Sequence, residues 1–268
     1  MRWRRHRRAL GALVMAGGAA SCGSSAPPSC DETLFGVPNA RTGLGDDRCG
    51  PSCACDDTSW AAPVYSAADV AALRAWELLE PPALLTADPY ASPAPPIADG
   101  AYCAVVRDST PGRYRLTTFA SRADAEAAGT VPTHAGPCGL CSTLVDLAVY
   151  IERPDLTEPV RACGLAFPSG PAVDHVQCLR DLGFSEPCAQ IWYFNTVHTR
   201  DQCLGPCLLA LEATYHLPDG ALNECLQCDE VQSGPVFKAI AGRTRRNTGV
   251  PSAMCRPCSE VEQLVHRY

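Results

Sequence analysis

The chain is nearly devoid of lysine: Lys238 is the only one among 22 basic residues. It has no uncharged apolar run of the roughly 18 to 20 residues that span a bilayer as a helix, so no transmembrane segment is expected. Familiar catalytic signatures are missing too. There is no G-x-S-x-G elbow, no H-E-x-x-H, no P-loop, no EF-hand loop and no G-x-G-x-x-G. Cys-x-x-Cys-His is absent, which removes covalent c-type haem, and no cofactor is expected.

What the chain does have is cysteine, 17 residues of it in 268. A chain this long can bury an ordinary core without cross-links, so the cysteines report on compartment. The N-terminus bears on the same point. Arg2, Arg4, Arg5, Arg7 and Arg8 precede an apolar run from Ala9 to about Met15, then small residues, which is the layout of an export signal. Those small residues end in Ala19-Ala20-Ser21-Cys22, which resembles the lipobox of bacterial lipoproteins. The resemblance covers the signal region alone. It implies a lipid on Cys22, anchorage to a membrane of the bacterial cell envelope, and loss of residues 1–21. Parity agrees: with Cys22 acylated, 16 cysteines remain and can pair completely.

Losing the signal segment removes five arginines and no acids. That leaves 17 basic against 29 acidic residues, a formal charge of −12. Nucleic acid needs a basic footprint and is not an expected partner, and membrane contact is expected through the anchor only. The expected partners are an envelope protein or a small anionic ligand.

Four segments follow from composition and periodicity. Residues 1–21 form the signal peptide. Residues 22–60 read as a loop-rich arm tied by two bridges among Cys30, Cys49, Cys53 and Cys55. Residues 61–100 hold a helix over Ser66–Glu80, opened by a Ser66/Asp69 capping box, then an extended Pro-rich connector. In residues 101–268, "AYCAVVR" and "RYRLTTF" flank "DSTPG" as a β-hairpin, and Ser121 and Asp124 cap a short helix that Gly129 stops. Helical periodicity predicts a helix opening at Cys138, with Asp146 on its solvated side. Further helices are predicted at 156–166, 171–183, 187–199, 201–215, 235–241 and 258–266. The expected class is α+β and predominantly α: a disulfide-rich helical domain with a small hairpin, preceded by the bridged arm.

Chemistry centres on Cys-x-x-Cys pairs at Cys138/Cys141, Cys225/Cys228 and Cys255/Cys258. "GPCGLC" resembles the active-site turn of thioredoxin-like oxidoreductases. That resemblance implies Cys138 as nucleophile, with its pKa lowered at a helix N-terminus, and Cys141 as resolving thiol. Helical patterns follow Cys141 where such a fold needs strands, which favours a structural role for both. Cys225/Cys228 and Cys255/Cys258 could chelate zinc in a reducing space. In an oxidising one they pair, and no metal is expected. Cys203 and Cys207 place two sulfurs on one helical face, ready to bridge neighbouring helices. Disulfides are thus expected from Cys103, Cys138, Cys141, Cys163, Cys178, Cys188, Cys203, Cys207, Cys225, Cys228, Cys255 and Cys258 besides the arm's four.

A cluster of Lys238, Arg243, Arg245 and Arg246 is either an anion site or a set of cations completing a helix C-terminus and pairing with Asp229 and Glu230. His134, His175, His198, His216 and His266 lack ligand spacing and read as surface or capping residues.

Overall fold

A computed structural model describes residues 33–45, 49–55, 58–168 and 170–268. The expected signal segment, Cys22 and Cys30 lie outside the described residues, as does the side chain of Cys55. The arm contains β1 (Thr33–Phe35) and an antiparallel hairpin of β2 (Ser52–Cys55) and β3 (Thr58–Ala61). Its cysteines do not pair as expected. Cys49 and Cys53 bond Cys255 and Cys258, which lie 206 and 205 residues further along. The arm is therefore clasped to the other end of the chain.

Helix α1 (Ala67–Arg74) starts with the predicted capping box and buries Val70 and Leu73. It stops short of Glu80 because the next residues join a sheet: Glu77 N–H donates to Gly112 O and Leu79 N–H to Tyr114 O. Strand β4 (Glu77–Leu78) thus runs parallel to the second strand of the predicted hairpin, β5 (Tyr102–Arg107) and β6 (Arg113–Phe119). Helix α2 (Arg122–Ala127) and strand β7 (Val131–Ala135) follow, and β7 pairs antiparallel with β5. The small hairpin is in fact half of a four-stranded sheet in the order β4-β6-β5-β7. Cys103, Ala104 and Val105 of β5 are all buried, which explains its continuous apolar run.

The helices are α3 (Leu144–Glu152), α4 (Thr157–Ala166), α5 (Ala172–Asp181), α6 (Glu186–Leu209), α7 (Glu224–Gln232), α8 (Gly234–Ala241) and α9 (Arg245–Thr248). Strand β8 (Cys255–Pro257) then pairs with β1. The two helices predicted at 187–199 and 201–215 are one, α6, bent at Cys203, with Pro206 inside. Residues 258–266 hold only a 3-10 turn, Cys258–Glu260. Helix α7 was missed, because its apolar residues carry no helical period. It is held to α6 by Cys203–Cys228 and Cys207–Cys225, as the spacing of Cys203 and Cys207 foreshadowed. The fold is α+β, mainly helical and disulfide-rich. Among the described residues no helix is long and apolar enough to cross a membrane.

The segment Cys138–Ser142 is not helical, and the reason is local. Leu140 and Cys141 donate their N–H groups to Ile240 O and Ala241 O, the open carbonyls at the end of α8. Two glycines permit the approach. A Cβ on Gly139 would lie 2.4 Å from Ile240 O, and one on Gly242, at φ +73°, 2.6 Å from Gly139 N. Helix α3 starts only at Leu144, capped by Thr143 Oγ1.

Candidate binding cleft

No Cys-x-x-Cys pair closes on itself. Cys138 bonds Cys103 of β5, and Cys141 bonds Cys188 of α6. Cys163 bonds Cys178, joining α4 to α5. The expected redox pair therefore belongs to two separate bridges, and Cys138 lies outside any helix N-terminus, which corrects the basis for a lowered pKa. The four sulfurs of the zinc alternative sit in four different bridges. Among the described residues no group of three or more His, Cys, Asp or Glu side chains could hold a metal ion.

The basic cluster separates into three environments. Arg243 is fully buried and donates to Cys141 O, Ser142 O, Thr133 O, Thr133 Oγ1 and Thr248 Oγ1. Burial pulls its pKa down from the usual guanidinium range. Arg246 is the bland case, paired with Glu230 at 2.5 Å and Glu260 at 2.8 Å. Arg245 lies over the Tyr150 ring and donates to the carbonyls of Tyr150, Arg153 and Pro251. Desolvation lowers its pKa to about 10. Lys238 is exposed.

Asp146, expected in solvent, is fully buried. It accepts from the Thr143 hydroxyl and from the N–H and hydroxyl of Ser185, and so ties the caps of α3 and α6 together. Burial raises its pKa to about 6, against the lowering effect of those donors and Arg243. The histidines also depart from expectation, since His134, His175, His216 and His266 are all buried. His134 Nε2 lies 2.7 Å from Ser142 Oγ, but this is no catalytic dyad. Both residues are sealed from solvent, the other ring nitrogen meets Ala135 O, and Ser142 Oγ already accepts from Gly139 N–H.

An accessible cleft of about 1150 Å³ lies between α4, α6, α7, α8 and α9 and is lined at one edge by Ala94, Pro95 and Ile97 of the Pro-rich connector. That volume suits a drug-sized or larger ligand. Val160, Leu165, Leu204, Leu208, Leu226 and Phe237 supply much of its wall, and Leu165, Leu204 and Leu208 stay more than half exposed. Cys207 and Cys225 line it too, so a disulfide forms part of the wall. Tyr90 braces the connector, stacking on His198 and donating its hydroxyl to Asn195 Oδ1.

Two enclosed donors on residues of the cleft wall make no hydrogen bond of ordinary geometry. The Tyr150 hydroxyl and the Trp192 indole N–H lie side by side, shielded from solvent, and the indole N–H faces the phenol oxygen without forming a well-aligned bond. Leaving such a group unpaired costs about 1–3 kcal/mol. Asp229, on α7, is satisfied by Thr199 and Asn195, and burial raises its pKa.

Sequence reasoning found Arg245 and Lys238 but missed Tyr150 and Trp192. A signal existed on α6, where Trp192, Asn195, Thr196, Thr199 and Arg200 recur at three- and four-residue spacing, in line with Leu204 and Leu208.

A family described as a family of unknown function (DUF8771) matches residues 173–264. No curated protein and no solved structure matches the chain. The matched third spans α5 to α9 and β8, and so includes most of the cleft, while Tyr150 and α4 lie before it. Two of its bridges are internal and four reach outside it.

Proposed function

We propose that this chain is an exported binding module of the bacterial cell envelope, anchored by lipid on Cys22, whose ligand occupies the α4/α6/α7/α8 cleft. The observation that carries the reading is the Tyr150 hydroxyl and Trp192 N–H, enclosed on the wall of a mainly apolar cleft with no hydrogen bond of ordinary geometry, since ordinary buried polar groups are satisfied. The seven bridges among the described residues fit an oxidising, extracytoplasmic space. They lock the walls and leave the ligand little ordering to do.

A neutral apolar dye such as Nile red tests the cleft. Binding with enhanced fluorescence is expected, with loss in the double variant Leu204→Asp, Leu208→Asp, whose exposed positions tolerate charge. Dye binding that ignores both substitutions would place it elsewhere. The anchor has its own test: Cys22→Ser should release the protein from membranes, and a wild-type protein found soluble and unacylated would remove that part of the reading.

A further inference from the structure

We propose that the cleft's ligand is an apolar carboxylic acid, its head group held by Tyr150, Trp192 and Arg245 and its chain laid along the leucines of α4 and α6; this rests on the cleft being the binding site. Charge supports an anion. Six cations line the cleft (Arg161, Arg200, Lys238, Arg245, Arg246 and Arg256) against four acids, in a chain whose net charge is −7. Arg161, Arg200, Arg246 and Arg256 have carboxylate partners. Among the described residues, Lys238 and Arg245 have none.

Arg245 is the more telling of the two. Its N–H groups meet only neutral carbonyls, so a positive charge is enclosed beside the cavity with no counter-charge in contact. Asp155 acts on it only at a distance, and that carboxylate already accepts from the Tyr215 hydroxyl. Over the same Tyr150 ring on which Arg245 sits, the phenol O–H offers a donor, and the Trp192 indole offers a second next to it. A phenol O–H without an acceptor, an indole N–H without a well-formed bond and a cation without a counter-charge match a carboxylate, which only accepts. A neutral oxygen would satisfy the donors and leave the cation as it is. An ammonium would satisfy nothing. The exposed leucines at positions 165, 204 and 208 give the rest of such a molecule an apolar track, which favours a long unbranched chain over a small polar acid.

Isothermal titration with dodecanoate, dodecan-1-ol and dodecyltrimethylammonium, each kept monomeric, separates these cases. Dodecanoate should bind at least tenfold more tightly than the alcohol, and the cationic amphiphile most weakly. Tyr150→Phe and Trp192→Phe should each cut dodecanoate affinity about tenfold to a hundredfold, the weight of one hydrogen bond to a charged acceptor. Tyr150→Phe keeps its ring, whereas Trp192→Phe also removes the second ring of the indole, so a cooperative melting transition in each verifies that they fold. Equal affinity for acid and alcohol, or variants that bind dodecanoate like wild type, would overturn the head-group assignment. If none of the three binds while Nile red still occupies the cleft, the ligand class is wrong and the binding reading survives. If Nile red also fails to bind, the binding reading falls with it.

Discussion

Arg243 and Arg245 are two residues apart and face opposite kinds of surroundings. Arg243 points into sealed protein, where three carbonyls and two hydroxyls accept its protons and Asp146 lends a distant opposite charge. Arg245 lines the cleft, where the neighbouring phenol and indole, enclosed in its wall, make no hydrogen bond of ordinary geometry. The same residue type does structural work in one place and leaves a binding potential in the other. Arg243 is fully buried and Arg245 partly so. What separates them is whether the surrounding polar groups are saturated.

The largest expected effect comes from the saturated side. Arg243→Met leaves its acceptors enclosed without a donor, and should destabilise the fold by about 3–5 kcal/mol in denaturant unfolding. A loss below about 1 kcal/mol would break the comparison, because Arg243 would then be no more structural than a surface residue.

Next in size are the bridges. Replacing Cys207 and Cys225 by serine should cost about 2–4 kcal/mol and also weaken Nile red binding, since that bridge lines the cleft. Removing Cys103–Cys138 should cost a similar amount and leave dye binding intact, because neither residue lines the cleft. Equal loss of dye binding in both would mean that the cleft depends on global stability rather than on its own wall.

The difference between the regions also bears on what the sequence made legible. The helices at 156–166, 171–183 and 235–241, the β5–β6 hairpin and the Ser66 and Ser121 caps follow local rules and were readable. Contacts between distant segments were not. The turn at Cys138–Ser142 stays out of a helix because Ile240 and Ala241, a hundred residues away, take its N–H groups. Asp146 sits where periodicity calls for solvent because Ser185 closes over it. Strand β7 reads as an ordinary loop until β5 is beside it. For the cleft, Arg245 and Lys238 stand out by charge, whereas nothing in the sequence singles out Tyr150 or Trp192. Their missing partners are visible only in three dimensions.

Titration offers a third way to sharpen the contrast. Asp146 has its folded pKa raised to about 6, from about 3.9 when unfolded. Its contribution to stability is complete below the unfolded value and is lost as pH rises through about 6. His266, pushed down to about 3, and His134, also lowered, act the other way. They contribute above about 6.5, and that stability is lost as pH falls towards their folded values. Between about pH 4 and 6 Asp146 therefore opposes the two histidines. Asp146→Asn should make stability rise more steeply with pH across that window, by up to one proton or about 1.4 kcal/mol per pH unit. An unchanged slope would mean that Asp146 is ionised throughout.

The smallest stability effect belongs to the open side. In ligand-free protein, Tyr150→Phe should shift stability by less than about 1 kcal/mol, and in the stabilising direction, because it deletes an unsatisfied hydroxyl. A loss of 2 kcal/mol or more would show that the hydroxyl has a partner after all.

The most direct test of the account follows the Trp192 indole N–H itself by NMR, its resonance identified by its disappearance in Trp192→Phe. On saturation with dodecanoate this resonance should move downfield as it gains an acceptor, while those of Trp60 and Trp76, which do not line the cleft, stay in place. A Trp192 resonance that does not move at saturating dodecanoate would contradict the claim that this donor is kept open for a ligand.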